Sequence, residues 1–514
     1  MHWRIKFFIG LVTLLPFAAT AAEGLSEEMV AIQLLESVDV VTVFSPMGFT
    51  VSDAQNNYPL PAGLYEFSRQ TTTPPVQQFH LFSKTFTLTQ AAAQEAYIES
   101  WKQRGYPAKS ITIGKKLTTS RDRILDARIN WISIARASSK KEADQKKKEL
   151  EAAEQWTWMR PETVQPGTGT VKLTGPKGAY SLQLPITLTS SKALSVANVN
   201  VGFWDERLKH LAYSGRLELT ISPKGGLELL EHSTVEEYLR GVLPSEMPAL
   251  WPEEALKAQA VSARSEVLVN LSTKHSLENF DFCNKEHCRA YHGINRQAEE
   301  TDNALRNTRG EILVQNEMIV PTVFSANCGG WTANNDTIWF GPPNAALRAV
   351  PDTPERSQSD LQSTQAVKKW LSSSSQAFCN GDPTGFRWTR DYSESELHAM
   401  IGKKVTVGRI DRIELGERGV GGRLKWIRIH GSTDTVVIKK ELPIRQALGG
   451  LPSAMFDLSV SGTTPNRKFH LNGGGRGHGV GLCQHGARGM AAAGHRYKDI
   501  LNHYFTGVSI EKVR

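Results

Sequence analysis

Alternating apolar and polar residues recur through the first half of the chain and predict short strands with one buried face. The alternation is clearest at residues 38–43, 180–188, 196–203 and 217–222. A stretch between the first two of these predicts a strand, a helix, two strands and a very polar helix, at residues 79–88, 89–104, 108–113, 127–137 and 140–155. We therefore expect a β-rich segment at residues 23–77 and a small α+β domain at residues 78–160.

A helical pattern follows in the run 235–270, which reads VEEYLRGVLPSEMPALWPEEALKAQAVSARSEVLVN. Two prolines flank Glu246, and a residue that precedes proline avoids helical dihedral angles, so we expect Glu246 on a bend. The dipeptide Trp251-Pro252 then predicts the start of an Ala-rich helix that ends near Asn270.

The residues next to Glu246 in this run are mainly apolar, namely Leu243, Met247, Leu250 and Trp251. A carboxylate held against apolar side chains loses solvation of its charged form, which favours the protonated acid that a proton donor needs. The pattern therefore predicts that Glu246 is a general acid. The alternative interpretation is a solvated loop residue or a helix cap.

The chain has 514 residues, more than one hydrophobic core normally supports, so we expect two or three domains. Pro and Gly within residues 161–170 predict a linker, and residues 171–514 then form a second, β-rich region. The predicted fold class is therefore α+β and multidomain. Residues 1–22 combine basic residues, an apolar stretch and a small-residue exit, which predicts a secretory signal peptide; an uncleaved anchor is the alternative.

The formal net charge of +8 suits nucleic acid, an anionic membrane surface or an acidic polymer as a partner. Export argues against nucleic acid, and contact with the membrane is expected only through the signal peptide. An acidic polymer outside the cytoplasm is therefore the expected partner. The five cysteines are too few and too scattered for a disulfide framework, and their odd number leaves at least one unpaired or bound to metal.

Soft metal ligands are concentrated between residues 275 and 291. Two imidazoles and two thiols, the ligands that Zn²⁺ prefers, are supplied by His275, Cys283, His287 and Cys288. A Cys283–Cys288 disulfide fits the same spacing, because export can lead to an oxidising compartment. The residues alone leave both interpretations open, and either cross-link would brace this loop.

Two glycine-rich segments complete the set of motifs. Residues 323–332 read VFSANCGGWT, in which paired glycines allow close approach of a ligand and hydroxyls can bond sugar oxygens; a tight hairpin is the alternative. Residues 475–487 read GRGHGVGLCQHGA and lack the lysine and spacing of a phosphate-binding loop. A nucleophilic pair of Cys483 and His485 is disfavoured, since side chains two residues apart in a turn do not reliably face each other.

These motifs resemble the SpoIID/LytB family, secreted proteins that act on bacterial peptidoglycan. The run 235–270 is similar to the family signature YL-x-GV-x-PSEMP followed by ALKAQAVAAR, and residues 475–487 are similar to its GHGVGMSQ-x-GA element. Cys483 stands where the family usually has serine, and Ser265-Glu266-Val267 replaces the usual T-Y-A after the signature arginine. The resemblance covers residues 213–507 and implies that residues 171–514 form a two-lobed SpoIID-like catalytic region.

The resemblance implies that Glu246 is the catalytic acid/base of a lytic transglycosylase. Such an enzyme cleaves peptidoglycan glycan strands between N-acetylmuramic acid and N-acetylglucosamine and leaves 1,6-anhydro ends. Peptide-stripped glycan is the expected substrate, because its lactyl carboxylates suit a basic protein. No cofactor is needed for this chemistry, but the resemblance implies a structural zinc ion held by His275, Cys283, His287 and Cys288. Further substrate contacts are expected from Gln259, Ser325, Thr332, His478 and Gln484.

Two basic residues on the predicted helix complete the expected site. Lys257 and Arg264 are seven residues apart and share a helix face, so they are candidates for binding the lactyl carboxylate or for positioning Glu246. A surface pair between Lys257 and Glu253 is the alternative for the lysine. The domain at residues 78–160 loosely resembles a SPOR-like module, which binds peptide-stripped glycan; an ordinary spacer domain is its alternative.

The family also implies a function of a different class. Its LytB branch suggests a non-catalytic glycan-binding enhancer of an N-acetylmuramoyl-L-alanine amidase, which would make a cell-wall amidase a partner. A hydrolase that leaves reducing ends is a third hypothesis. The sequence departures at Cys483 and Glu266 leave all three hypotheses in place.

Overall fold

A computed structural model describes residues 28–201, 207–271, 273–285, 288–355, 360–373 and 376–513. The predicted signal peptide and His287 lie outside these residues. Strands predominate over helices, in agreement with the predicted α+β class. Within the described ranges, none of the helices combines the length and the apolar character required to traverse a bilayer.

The chain starts with strands that belong to two different sheets. They are β1 (Met29–Val38), β2 (Val40–Ser45), β3 (Phe49–Ser52), β4 (Asn57–Leu60) and β5 (Gly63–Thr73). The alternation predicted for residues 38–43 is confirmed, since Val41 and Val43 point into the core while Val40 is exposed. β2 pairs antiparallel with β5, which buries Tyr65 and Phe67 on the same face.

The predicted small α+β domain follows β5. Its elements are β6 (Val76–Thr87), α1 (Ala91–Gln103), β7 (Lys109–Ile113), β8 (Lys116–Thr118), β9 (Ile124–Asp126), β10 (Ile129–Ala137), α2 (Lys140–Ala152) and β11 (Trp158–Gln165). The predicted order of strands and helices is confirmed, and the structure adds the short strands β8 and β9 before β10 and the strand β11 at the end. The sheet has the strand order β11–β6–β10–β7 and is antiparallel throughout, so the main elements form a β-α-β-β-α-β unit.

The expected linker at residues 161–170 is wrong. β11 extends to Gln165 and the next strand starts at Thr168, so only Pro166 and Gly167 lie between two paired strands. Threonine-rich segments readily join a sheet, and this one pairs with the threonine-rich end of β5. The strands that follow are β12 (Thr168–Gly175), β13 (Gly178–Leu184), β14 (Ile186–Thr189), β15 (Leu194–Asn200), β16 (Arg207–Tyr213), β17 (Arg216–Ile221) and β18 (Leu227–Thr234).

The N-terminal strands share their sheets with strands that follow the small domain. One sheet has the order β13–β12–β5–β2–β15–β16, and a second has the order β1–β18–β17–β14–β3–β4 with the short strand β19 (Phe282–Cys283) beside β1. Residues 23–77 are therefore not a separate segment, and the small domain is an insertion between β5 and β12. The sequence pattern could not reveal this, because strand pairing across about a hundred residues leaves no local signal.

Helices and short strands follow the two sheets. They are α3 (Val235–Glu246), α4 (Glu253–Asn270), α5 (Glu299–Asn307), β20 (Glu311–Gln315), β21 (Met318–Ile319), β22 (Phe324–Ser325), α6 (Asn335–Ile338) and α7 (Thr364–Ser372). The predicted Ala-rich helix is confirmed as α4. This helix is buried on most sides, because it packs against α3, α5 and β20.

The remaining elements include a region with its own hydrophobic core. They are β23 (Arg387–Ser393), α8 (Glu394–Gly402), β24 (Ile410–Leu415), β25 (Trp426–Gly431), β26 (Thr435–Lys439), α9 (Glu441–Ala447), β27 (Phe456–Ser461), β28 (Lys468–Gly474), β29 (Leu482–Cys483), α10 (Gln484–Ala492), α11 (Tyr497–Tyr504) and β30 (Ser509–Lys512). Elements β23 to β28 enclose a separate apolar cluster that includes Ile427, Ile429, Phe456 and Phe469. After it the chain returns, and α10 and α11 pack against α4.

Candidate active site

Glu246 is the last residue of α3. The helix starts at a Thr234 cap, whose hydroxyl accepts the Glu237 N–H at 3.2 Å, and it continues through Pro244. The bend lies one residue after Glu246, at Met247, which has extended dihedral angles and precedes Pro248. Met247 is fully buried and fixes the end of the helix, whereas 22% of the Glu246 side chain is exposed. The bend therefore lies one residue later than the sequence predicted.

The surroundings of the Glu246 carboxylate are less apolar than predicted. Leu243 and Met247, its neighbours in the chain, are buried, but Leu250 is 90% exposed and points to solvent. The Arg289 guanidinium lies beside the carboxylate, with 3.3 Å between Nη1 and Glu246 Oε1. The expectation of mainly apolar surroundings is therefore corrected at Leu250, which is turned away, and by Arg289, which places a charge beside the carboxylate.

Arg289 joins the carboxylate to two other parts of the chain. Its guanidinium forms a close ion pair with Glu266 of α4 and lies 4.1 Å from the centre of the Phe324 ring in β22. The sequence analysis missed Arg289, although its position directly after Cys288 was visible. It also gave no role to Glu266, the residue at which the signature departs from the family pattern.

The C-terminal glycine-rich motif reaches the same position. The Gln484 side-chain amide donates a hydrogen bond to the Glu246 backbone carbonyl at 3.2 Å. Strand β29, which precedes Gln484, pairs in parallel with β22 of the paired-glycine motif. Trp251, which follows the Glu246 turn, contacts the His485 ring with 4.8 Å between ring centres. Three sequence motifs that are far apart in the chain therefore meet at Glu246.

His478 and Ser325 form hydrogen bonds that connect the two glycine-rich motifs to each other. The His478 ring is held on both sides, since Nε2 donates to the Phe324 carbonyl at 2.9 Å and Nδ1 accepts the Val480 N–H at 3.0 Å. Burial, reinforced by the nearby Arg423 charge, lowers the pKa of His478 to about 3, so the imidazole is neutral. The Ser325 hydroxyl accepts the Gly479 N–H at 3.1 Å. These contacts fix the two glycine-rich motifs against each other.

Four of the residues predicted to touch substrate are placed elsewhere, and these predictions are corrected. Arg264 is buried and binds Glu236 of α3, with 2.7 Å between Nε and Oε1. Lys257 forms ion pairs with Glu253 and Glu254 at 2.9 Å each, as the alternative interpretation predicted. Gln259 and Thr332 are fully buried. Gln259 lies on a packed face of α4, and the Thr332 hydroxyl is hydrogen-bonded to the Val350 backbone.

Three of the four predicted zinc ligands lie within the described residues, and these three come together in the structure. His275, Cys283 and Cys288 are largely buried, and their ligand atoms all lie within 4.8 Å of one another. His275 Nδ1 lies 2.7 Å from Glu278 Oε1, which orients Nε2 towards Cys288 Sγ at 3.3 Å. A carboxylate behind a ligating histidine is typical of zinc sites, so the donor set fits zinc. His287 lies outside the described residues, and none of the five cysteines, all within the described residues, forms a disulfide.

The proposed separation of Cys483 from His485 is confirmed. Cys483 is buried and caps α10 by accepting the Gly486 N–H at 3.4 Å. His485 instead faces Asp382, with 3.5 Å between Nε2 and Oδ2. The two side chains therefore contact different partners and do not form a nucleophilic pair.

Comparison with known proteins agrees with the motifs. Residues 223–315 match the model of the SpoIID family, described as stage II sporulation protein. The chain is 27% identical to stage II sporulation protein D of Bacillus subtilis over 55% of its length and 76% of that protein. It is 26% identical to the amidase enhancer of Bacillus subtilis over 53% of its length. The SpoIID match and the names of these relatives support a relationship to the SpoIID/LytB family.

The family match covers the region around Glu246 and α4. Residues 333–481 match a second model, described as a domain of unknown function (DUF8618), and this range includes the separate apolar core. An uncharacterized protein of Brachyspira hyodysenteriae is 28% identical over 66% of the chain and 89% of its own length. By contrast, the chain spans only 40% of the amidase enhancer.

Proposed function

We propose that this protein is an exported lytic transglycosylase that cleaves peptidoglycan glycan strands, with Glu246 as the catalytic acid/base. The observation that carries the proposal is the convergence on Glu246 of Arg289 and Gln484, the latter directly after the strand that pairs the two glycine-rich motifs. A partly exposed carboxylate on a rigid helix end, fixed by long-range contacts, suits a proton-transfer group better than a solvated surface residue. The family match supports the choice of a cell-wall substrate.

The proposed reaction starts with proton donation. Glu246 donates its proton to the oxygen between N-acetylmuramic acid and N-acetylglucosamine, and the glycosidic bond breaks as positive charge develops on the muramic ring. The carboxylate that remains is stabilised by Arg289, whose second amino group stays paired with Glu266. Arg289 thus keeps the same position before and after the transfer.

The second step returns the carboxylate to its acid form. Glu246 removes the proton of the muramic C6 hydroxyl, whose oxygen then bonds to the ring carbon and closes a 1,6-anhydro ring. Because the attacking oxygen belongs to the substrate, this route needs one carboxylate, whereas hydrolysis uses two. Glu266 also lies at this site, but it is held in a close ion pair with Arg289, so the proposal assigns both proton transfers to Glu246.

A zinc ion bound by His275, Cys283 and Cys288 would have a structural role in this site. It would fix the position of Cys288, and Arg289 follows directly in the chain. Arg289 in turn contacts Glu246 at 3.3 Å. The expected effect is to hold the guanidinium in place, without any contact between the metal site and the substrate.

The test is product analysis on peptide-stripped glycan. Native protein should release fragments with 1,6-anhydromuramic ends, and Glu246→Gln should reduce the rate of release by about 10²- to 10⁴-fold, the usual size of a general acid/base contribution. Glu237→Gln is the matched control, because it makes the same change on an exposed side chain of α3. Fragments with reducing ends instead would identify a hydrolase.

The similarity to an amidase enhancer favours a second candidate, a non-catalytic activator of a cell-wall amidase. In that case native protein and Glu246→Gln would both bind glycan and both raise the rate of an added N-acetylmuramoyl-L-alanine amidase. No anhydro ends would then form in the absence of the amidase. The two functions therefore give opposite results in the same pair of assays.

A further inference from the structure

A second buried cluster of metal-ligating side chains lies behind the C-terminal motif. Its ligand atoms all lie within 4.8 Å of one another, and each side chain is at most 1% exposed. The cluster consists of Cys328, Asp352, Cys379 and Cys483. These residues come from four separate segments, so the fold brings them together and no sequence motif predicts them.

The sulfur geometry matches a tetrahedral metal site better than a disulfide. Cys328 Sγ and Cys379 Sγ are 3.7 Å apart. Zinc–sulfur bonds of about 2.3 Å in a tetrahedron place two sulfurs about 3.8 Å apart, whereas a disulfide requires about 2.0 Å. Cys483 supplies a third sulfur, which accepts backbone N–H groups from Cys328 at 3.1 Å and from Gly486 at 3.4 Å. Such N–H donors orient a sulfur that carries negative charge.

The carboxylate of the cluster is oriented by its own partners. Asp352 Oδ1 accepts the Tyr504 hydroxyl hydrogen at 2.5 Å, and Oδ2 accepts the Cys379 N–H at 3.0 Å. A side chain at Gly486 would collide with this arrangement, since an added Cβ would lie 2.6 Å from Asp352 Oδ1. The glycine therefore leaves room for the acid to reach the three sulfurs. Hydrogen bonds behind a ligand are typical of metal sites.

One buried and one partly buried guanidinium group provide an independent argument. Arg423 is fully buried, and it donates to the Cys328 carbonyl at 3.2 Å and the Trp331 carbonyl at 3.2 Å. Arg387 donates to the Gly329 carbonyl at 3.1 Å. Among the described residues no carboxylate forms an ion pair with either arginine. A divalent ion with three thiolates and one carboxylate carries about two negative charges, which balances both guanidinium groups.

We propose that Cys328, Asp352, Cys379 and Cys483 bind a second structural divalent metal ion, of the zinc class. Four protein ligands close the site, so it has no open position for water or substrate. Its role is to anchor β29 and the start of α10, and hence Gln484, whose amide contacts Glu246. Binding releases the thiol protons and oxidises nothing. The proposal is independent of whether Glu246 is catalytic.

The test measures metal content and needs no activity assay. The full-length protein, purified without added metal, is analysed by inductively coupled plasma mass spectrometry together with Cys379→Ser and Cys283→Ser. Each variant should contain one metal ion per chain fewer than native protein, because each removes a ligand of a different cluster. An unchanged metal content in Cys379→Ser would overturn the proposal.

Two further measurements test the proposal even if Cys379→Ser misfolds. Cys283→Ser loaded with Co²⁺ should show thiolate-to-cobalt charge-transfer absorption and intense visible bands of a tetrahedral site, while Cys283→Ser/Cys483→Ser should lack both. Intact mass of denatured, alkylated native protein should show five alkylated thiols. A Cys328–Cys379 disulfide in freshly purified protein, seen as two thiols that resist alkylation, would overturn the proposal without any variant.

Discussion

At the scale of single residues, Arg289 is the side chain that best separates a catalytic Glu246 from a merely structural one. Its guanidinium bridges Glu246 and Glu266 and lies over the Phe324 ring. We expect Arg289→Ala to lower kcat by about 10²-fold with little change in KM, because it removes a charged donor from the carboxylate that transfers the proton. Arg289→Lys should recover part of the loss.

Arg289 is tested by steady-state release of anhydro ends, with glycan binding measured separately. Arg240→Ala provides the control, since Arg240 pairs with Glu237 and Asp302 on the other side of α3. A loss of glycan binding without a change in kcat would mean that Arg289 binds substrate and does not position Glu246.

The buried Glu231 carboxyl makes the stability of the protein depend on pH. This side chain is fully buried in β18, and burial raises its pKa to about 7, although a hydrogen bond from the Gly215 N–H opposes the shift. Between about pH 4.5 and 7 the folded protein keeps a proton that the unfolded chain releases. The free energy of unfolding therefore falls as the pH rises through this window, by up to about 3 kcal/mol.

Substitution of Glu231 isolates this contribution. Glu231→Gln keeps an oxygen for the Gly215 N–H and cannot ionise, so it should match native stability near pH 5 and exceed it at pH 8. Urea unfolding at both pH values measures the difference, with Glu95→Gln on the exposed face of α1 as the control. Equal destabilisation of Glu231→Gln at both pH values would show that the carboxylate is not protonated in the folded state.

At the scale of elements, Arg264 joins α3, α4 and β20. It pairs with Glu236 of α3 and donates to the Glu311 carbonyl at 3.1 Å. We expect Arg264→Met to lower the free energy of unfolding by about 3 kcal/mol, because it leaves Glu236 without its buried partner. Lys257→Met on the same helix should cost less than about 1 kcal/mol, since its ion pairs are near the surface.

Chemical denaturation and glycan binding together test the role of Arg264. A stable Arg264→Met protein that no longer binds glycan would restore the interpretation from the sequence, in which this arginine contacts the substrate. An unstable protein that binds glycan normally at low temperature would support the cross-link between the helices.

Local patterns predicted elements well and their connections poorly. Helix α4 follows from its Ala-rich composition and the proline before it, and the elements of the small domain follow from the local pattern of apolar and polar positions. The linker at residues 161–170 was wrong because its threonines pair with β5, which lies about a hundred residues earlier. For the same reason Arg289 and the Cys328 cluster were missed: their partners are distant in sequence, and only the fold brings them together.

At the scale of the whole molecule, the small domain is inserted at a single point of a continuous sheet. Thr73, which ends β5, pairs directly with Thr168, which starts β12. Paired residues in antiparallel strands are about 5 Å apart, so a two-residue Asn-Gly turn can replace residues 74–167 and join the strands as a hairpin. We expect the shortened protein to fold, because both large sheets and the Glu246 site remain intact.

The shortened protein should be less stable than the native chain. Leu117 and Leu125 of the β8–β9 hairpin are buried in the main core, and each contributes about 1.5–3 kcal/mol that the deletion removes. The site at Glu246 should still generate anhydro ends, with a lower affinity for long strands if the small domain binds glycan as a SPOR-like module would. Co-sedimentation with peptide-stripped glycan measures that affinity, and thermal unfolding measures stability. An unchanged affinity would assign the small domain a purely structural role, because the hairpin contacts would then be its main contribution.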